Sequence, residues 1–162
     1  MEIKDIRDKL PHRYEYPKRK INNIDTIDIH HSATLQKNYK GIDTIKSFAN
    51  HHIYENGWPA IGYHYIIAPN GVVYKTGYAN ESRWSVGNHN SYTISIMLIG
   101  NFTKEAPTEK QHQSALELAK TLENAYHIQR VKGHNEFDGH AFNSCPGIDM
   151  SQFRNDLQKE WY

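Results

Sequence analysis

The chain is short of cysteine, of net charge and of long apolar runs, and each shortage removes a class of protein. The only cysteine, Cys145, cannot close an intramolecular disulfide, so a disulfide scaffold is excluded. At 162 residues a single domain can bury a sufficient core without such staples. Nineteen Lys and Arg against eighteen Asp and Glu leave a formal charge of +1, so nothing draws the chain in bulk to nucleic acid or to an anionic membrane. No stretch approaches the roughly 20 apolar residues of a membrane span. Residues 1–10 are charged throughout and lack the apolar run of a signal peptide. Synthesis in the cytoplasm is therefore expected, with no membrane and no nucleic acid among the partners. Internal repeats and low-complexity linkers are also missing, as is any convincing pair of carboxylates for glycoside chemistry.

Histidine is plentiful instead, at eleven residues, beside eleven tyrosines and three tryptophans. The stretch from Val131 to Gly147 concentrates the chemistry, with His134 and His140 upstream of Cys145 on a polar loop closed by Pro146 and Gly147. A lone Cys there is a small buried residue, a nucleophile or a metal ligand. One Cys joined by histidines from elsewhere suits a catalytic zinc site, which uses three protein ligands and leaves a fourth position open. Spacing alone leaves all three readings standing.

Periodicity supplies the frame. Residues 2–10 carry Ile3, Ile6 and Leu10 at helical spacing, a short helix stopped by Pro11, and residues 11–23 read as an irregular arm. The run from Ile24 to Ile29 alternates apolar and polar residues, a strand that leads into His30 and His31. Residues 41–56 form an amphipathic helix ended by Asn56-Gly57. Two β-rich runs flank Asn70-Gly71, a hairpin signal, and 93–99 is continuous enough for a buried central strand. Thr108 and Gln111 have the spacing of a capping box before a helix reaching about Tyr126. A strand over 129–132 then delivers His134, and Asp149 caps a last helix bearing Phe153, Leu157 and Trp161. Strands interleaved with helices predict an α/β fold with one central mixed sheet flanked by helices. The division expected is an arm at 1–23 and a single catalytic domain at 24–162.

The motifs, taken in order, resemble the type 2 N-acetylmuramoyl-L-alanine amidases, a family that includes phage endolysins and peptidoglycan recognition proteins. The carriers are Ile27 to Thr34 around His30, Gly57-Trp58 through Ile61 to Ile67, Asn70-Gly71, Val86 to His89, Ile96 to Gly100, and Gly133-His134 with Cys145-Pro146-Gly147. The resemblance makes His30, His134 and Cys145 the ligands of a Zn2+ ion, and Tyr63 the tyrosine beside the metal. It gives His89 a groove position near the substrate. His31 is not expected to bind metal, His64 should point away from the site by strand alternation, and His140 has no counterpart, leaving it a reserve ligand. Asn143 stands two before the cysteine, where relatives usually carry Lys or Thr, and can donate a hydrogen bond to an oxyanion. Met97 stands where many endolysins place a catalytic Glu. Trp58 and Trp84 would flank a groove for glycan and stem peptide. The function implied is zinc-dependent hydrolysis of the amide between N-acetylmuramic acid and L-alanine in bacterial peptidoglycan, by a monomer. Such an endolysin would reach the wall through a separate membrane pore. A non-catalytic peptidoglycan-binding module of the same fold is the alternative. A zinc nuclease would want basic clusters that the charge balance does not offer.

Overall fold

In the computed structural model, which describes residues 1–159, the chain runs β1 (Ile3–Asp5), β2 (Thr26–His31), α1 (Ile42–Tyr54), β3 (Tyr65–Ile67), β4 (Val73–Lys75), β5 (Thr93–Leu98), α2 (Glu109–Tyr126), β6 (Arg130–Gly133) and α3 (Met150–Gln158). Trp161 lies outside the described residues. The strands make one six-stranded sheet in the order β1-β4-β3-β5-β2-β6. Only the β3–β4 hairpin is antiparallel, turning where the Asn70-Gly71 signal stood, with Gly71 at φ 86. β3, β5, β2 and β6 run parallel, so their carboxyl ends share one edge. The expected mixed sheet is the observed one.

Crossovers explain the layers. The chain leaves β2, passes through α1 and returns at β3, with β5 lying between the two strands. It leaves β5, passes through α2 and returns at β6 beyond β2. Ile45 and Ala49 of α1 pack with Met97, Ile66 and Ile99 on one face. Leu116, Leu118, Ala119 and Leu122 of α2, with Phe153 and Leu157 of α3, pack with Ile27, Ile29, Ile94 and Ile96 on the other. With both faces covered, every residue of β2 and β5 is buried, polar ones included. A buried polar residue must find a partner, which is how Asp28, His30 and Ser95 come to be bonded rather than solvated.

Two expectations about local structure fail. Residues 2–10 do not form a helix. Ile3 to Asp5 add a parallel strand to the edge of β4, and only Arg7–Lys9 makes a 3-10 turn. Ile6 and Leu10 are buried as predicted, but Ile3 is 47 % exposed. Nine residues are too few for a stable helix by themselves, so ladder bonds to β4 and the Asp5–Arg7 bonds decide the conformation. The capping box is only half made. Thr108 accepts from the Gln111 amide at 3.0 Å, but the Gln111 side chain turns inward rather than back to the cap. Its Nε2 donates to the carbonyls of Ile67 at 3.0 Å and Ile99 at 2.9 Å, tying off the ends of β3 and β5.

Gln111→Leu is therefore expected to lower stability by about 1–3 kcal/mol, the cost of leaving buried strand-end carbonyls short of a donor. Urea unfolding should show a lower midpoint at unchanged slope. An unchanged midpoint would mean that α2 packing alone holds those strand ends.

Candidate active site

β2 and β6 are neighbours and parallel, so the residues that follow their carboxyl ends are brought together, the usual place for a site in such a sheet. His30 is the fifth residue of β2, on the face of Asp28 and opposite Met97 of β5. His134 opens the 3-10 turn after β6. The polar loop then returns Cys145, which Asn135 fixes by donating its amide to the Cys145 carbonyl at 3.0 Å. Gly133 permits that return. A Cβ there would lie 2.7 Å from Pro146 Cδ and 2.9 Å from Met150 Cγ, so any side chain would push the cysteine loop off the strand end.

His30, His134 and Cys145 each offer one ligand atom, and these atoms lie within 4.8 Å of one another. The His30 and His134 rings stand 4.7 Å apart. His30 Nδ1 is 3.6 Å from Cys145 Sγ, which also accepts from the His31 amide at 3.4 Å. Two imidazoles and one thiol within that span are a donor set that could hold a tetrahedral metal with one open position.

Asp28 is the residue that motif reasoning passed over. Its Oδ2 accepts from His30 Nε2 and from Ser85 Oγ, the latter at 2.8 Å. A carboxylate on the far nitrogen of a metal-binding histidine sets the tautomer, leaving Nδ1 to face the cluster. Burial works to raise the Asp28 carboxyl, but the bonds from His30 and Ser85 outweigh it and hold it below the usual carboxylate range. Burial likewise opposes a charged His30 ring, yet Asp28 and the Cys145 sulfur win and lift it to about 9. A cation at the cluster would take the place of that Nδ1 proton. Burial, with His30 and His140 nearby, depresses His134 to about 4, so this ring is neutral at pH 7. The sequence signal for Asp28 was its position two before His30, on the same face of a strand.

The other expected residues divide. The Tyr63 ring lies 5.2 Å from His30, and burial, reinforced by the Cys145 sulfur, raises its phenol so that it stays protonated. Trp58 and Trp84 stand edge to face, 6.3 Å apart, and both line a cavity of about 590 Å³ with His134, Cys145, Asn143 and Phe142. A second cavity of about 430 Å³ is lined by Tyr63, Ser32, Thr34, His51, His52 and Met97. Among the described residues no carboxylate lines either cavity. Asn143 Oδ1 accepts from the Cys145 amide at 3.0 Å and its Nδ2 donates to the His140 carbonyl at 2.8 Å, so one amide proton is engaged in shaping the loop. His89 lines neither cavity. Its Nδ1 meets the Tyr92 hydroxyl and its Nε2 donates to the Asp138 carbonyl at 3.0 Å, clamping two loops together.

Three further histidines are placed as follows. His31 turns to the opposite face, as expected, and accepts from the Phe102 amide at 3.1 Å. His140 is not one of the three residues of the candidate metal group. It meets His134 Nε2 at 3.0 Å from behind. His64 departs from expectation. It bonds Ser95, whose register partner is Asp28, so it lies on the site's own face of the sheet, deeper in. Alternation failed because β3 begins only at Tyr65, and the backbone at Tyr63 is irregular.

A family model described as N-acetylmuramoyl-L-alanine amidase matches residues 20–148. The endolysin of Escherichia phage T7 is 29 % identical over 146 residues, covering 83 % of this chain and 89 % of that protein. Peptidoglycan-recognition protein SD of Drosophila simulans is 33 % identical over 91 residues, covering 56 % of this chain and 47 % of that one. Among solved structures, PGRP-SA of Apis mellifera superposes with a TM-score of 0.81 at 24 % identity, over 95 % of both chains. N-acetylmuramoyl-L-alanine amidase LysC of Clostridium intestinale gives 0.76 at 24 % identity, over 99 % of both. These two superpositions establish the fold, and the match over 20–148 goes further: the chain belongs to the type 2 N-acetylmuramoyl-L-alanine amidase family.

Proposed function

We propose that this chain is a zinc-dependent peptidoglycan amidase of the endolysin kind, cleaving the bond between the lactyl group of N-acetylmuramic acid and L-alanine. The observation that carries the reading is the His30–His134–Cys145 group, two of whose members line the larger cavity, with His30 oriented by Asp28. When bound there, zinc supplies a Lewis acid and lowers the pKa of a coordinated water towards about 7. The chain does the rest. Tyr63, held protonated, donates its hydroxyl hydrogen to the charge that develops on the scissile carbonyl. Asn143 has a second amide proton for the same purpose, on the wall of the larger cavity. Trp58, Trp84 and the 86 % exposed Phe142 offer apolar faces against which a sugar or peptide excludes water. With no carboxylate on either wall, Tyr63 is the proton-bearing group beside His30, and Met97 takes no part in proton transfer.

The test of the bond cut is digestion of purified cell wall. New amino termini of L-alanine and no new reducing sugar ends are expected. Reducing ends would make the protein a glycosidase. Sedimentation with walls without either product would favour a binding module.

Zinc-replete purification should yield one zinc per chain by metal analysis. Cys145→Ser should lose most of it, because a neutral hydroxyl replaces a thiolate ligand. Retention of full zinc by that variant would overturn the ligand set. Tyr63→Phe should keep its zinc and lose about 10²–10³-fold in turnover, with Asn143→Ala costing less. Activity near wild type in Tyr63→Phe would reduce that ring to packing.

A further inference from the structure

We propose that His140 is a positioning residue that fixes the ring tautomer of His134 and so aims its Nδ1 at the ligand group. The argument begins at a backbone carbonyl. His140 Nε2 lies 3.0 Å from the Gly87 oxygen, and a carbonyl can only accept. The hydrogen is therefore on His140 Nε2, and in the neutral ring Nδ1 is an acceptor. His134 Nε2 lies 3.0 Å from that Nδ1 and must donate to it. The lone pair of His134 is thereby left on its own Nδ1. His30 is oriented by another route: its Nε2 donates to Asp28, and Nδ1 is the nitrogen turned to Cys145. Two relays, one ending on a carboxylate and one on a backbone carbonyl, thus engage the Nε2 of both rings and leave Nδ1 as the nitrogen each can turn to the group.

The His140 ring is held for this task. It stacks on Phe142 at an interplanar angle of 21° and meets the His89 ring edge to face at 5.8 Å. His89 is itself bonded to the Asp138 carbonyl in the same loop. His140, Phe142 and Asp138 lie in the eleven-position spacer between His134 and Cys145, and His89 and Gly87 brace that spacer from the loop before β5. The affinity arm of the test below rests on the zinc reading, and the tautomer arm does not.

In metal-free protein, long-range ¹H–¹⁵N spectra of the imidazoles should show His134 protonated at Nε2. Protonation at Nδ1 would overturn the proposal, whether or not the protein takes up zinc. Two substitutions then separate aiming from bracing. His140→Asn keeps an acceptor where Nδ1 stands and gives up the bond to Gly87. His140→Gln keeps a donor where Nε2 stands and gives up the acceptor. In chelator competition, His140→Asn should hold a zinc Kd close to wild type, while His140→Gln and His140→Ala should weaken it about 10–100-fold, the usual effect of removing an outer partner of a metal-bound histidine. The reverse order, or wild-type affinity in all three, would show that His140 only ties the loops together. Failure of the wild-type protein to bind zinc would instead count against the zinc reading, with the spectra still deciding the tautomer.

Discussion

The hydrogen bond between Asp28 and His30 is the constraint on which the rest of the site depends. Both side chains are buried on the central strand β2, where an unpaired charge would be costly. Pairing them compensates the buried carboxylate through its Oδ2 and orients the ring in one step, while Oδ1 has no partner among the described residues. Asp28 also recruits Ser85, which anchors the loop that follows Trp84. Asn90 closes that loop by accepting from the amides of Ser85 at 3.1 Å and Val86 at 2.8 Å. The carbonyl of Gly87 is thus presented to His140 by a loop whose position traces back to a carboxylate inside the sheet.

Parallel strand order does the remaining assembly. Because β2 and β6 leave the sheet at the same edge, His30 converges with His134 and Cys145, more than a hundred residues away in sequence. The close approach of Pro146 and Met150 to Gly133 lets the cysteine loop settle onto that edge. The same edge receives Trp58 and Trp84 from loops before and after the β3–β4 hairpin, which gives the larger cavity an aromatic wall and the smaller one a wall rich in hydroxyls and imidazoles.

Two positions near the candidate site carry neutral side chains. Met97 is the register partner of His30, and its side chain packs with Ile66 and Ile99 as part of the α1-side core. Asn143 spends half of its amide on the backbone of its own loop. Neither brings a charge to the group, and burial keeps the Tyr63 phenol beside His30 protonated.

The main strands of the sheet, the two long helices and the residues of the candidate metal group were legible in the sequence because each rests on short-range signals: alternation in 24–29, apolar spacing in 42–54 and 109–126, a glycine turn at 71, and a His and Cys flanking a polar loop. What depends on partners distant in sequence was not. Residues 2–10 have helical spacing, and only the edge of β4 makes them a strand. Gln111 has the spacing of a cap, and only the carbonyls at the ends of β3 and β5 draw it inward. His89 and His140 were read as a groove residue and a reserve ligand, whereas three-dimensional packing makes one a clamp and sets the other behind His134. The sequence by itself determined which side chains are able to bind a metal and on which elements they ride. Only the tertiary structure decided which nitrogen of each ring faces the others, because a tautomer is set by whatever stands on the far side of the ring: for His30 a residue two positions away, and for His134 a chain of contacts that ends at Gly87.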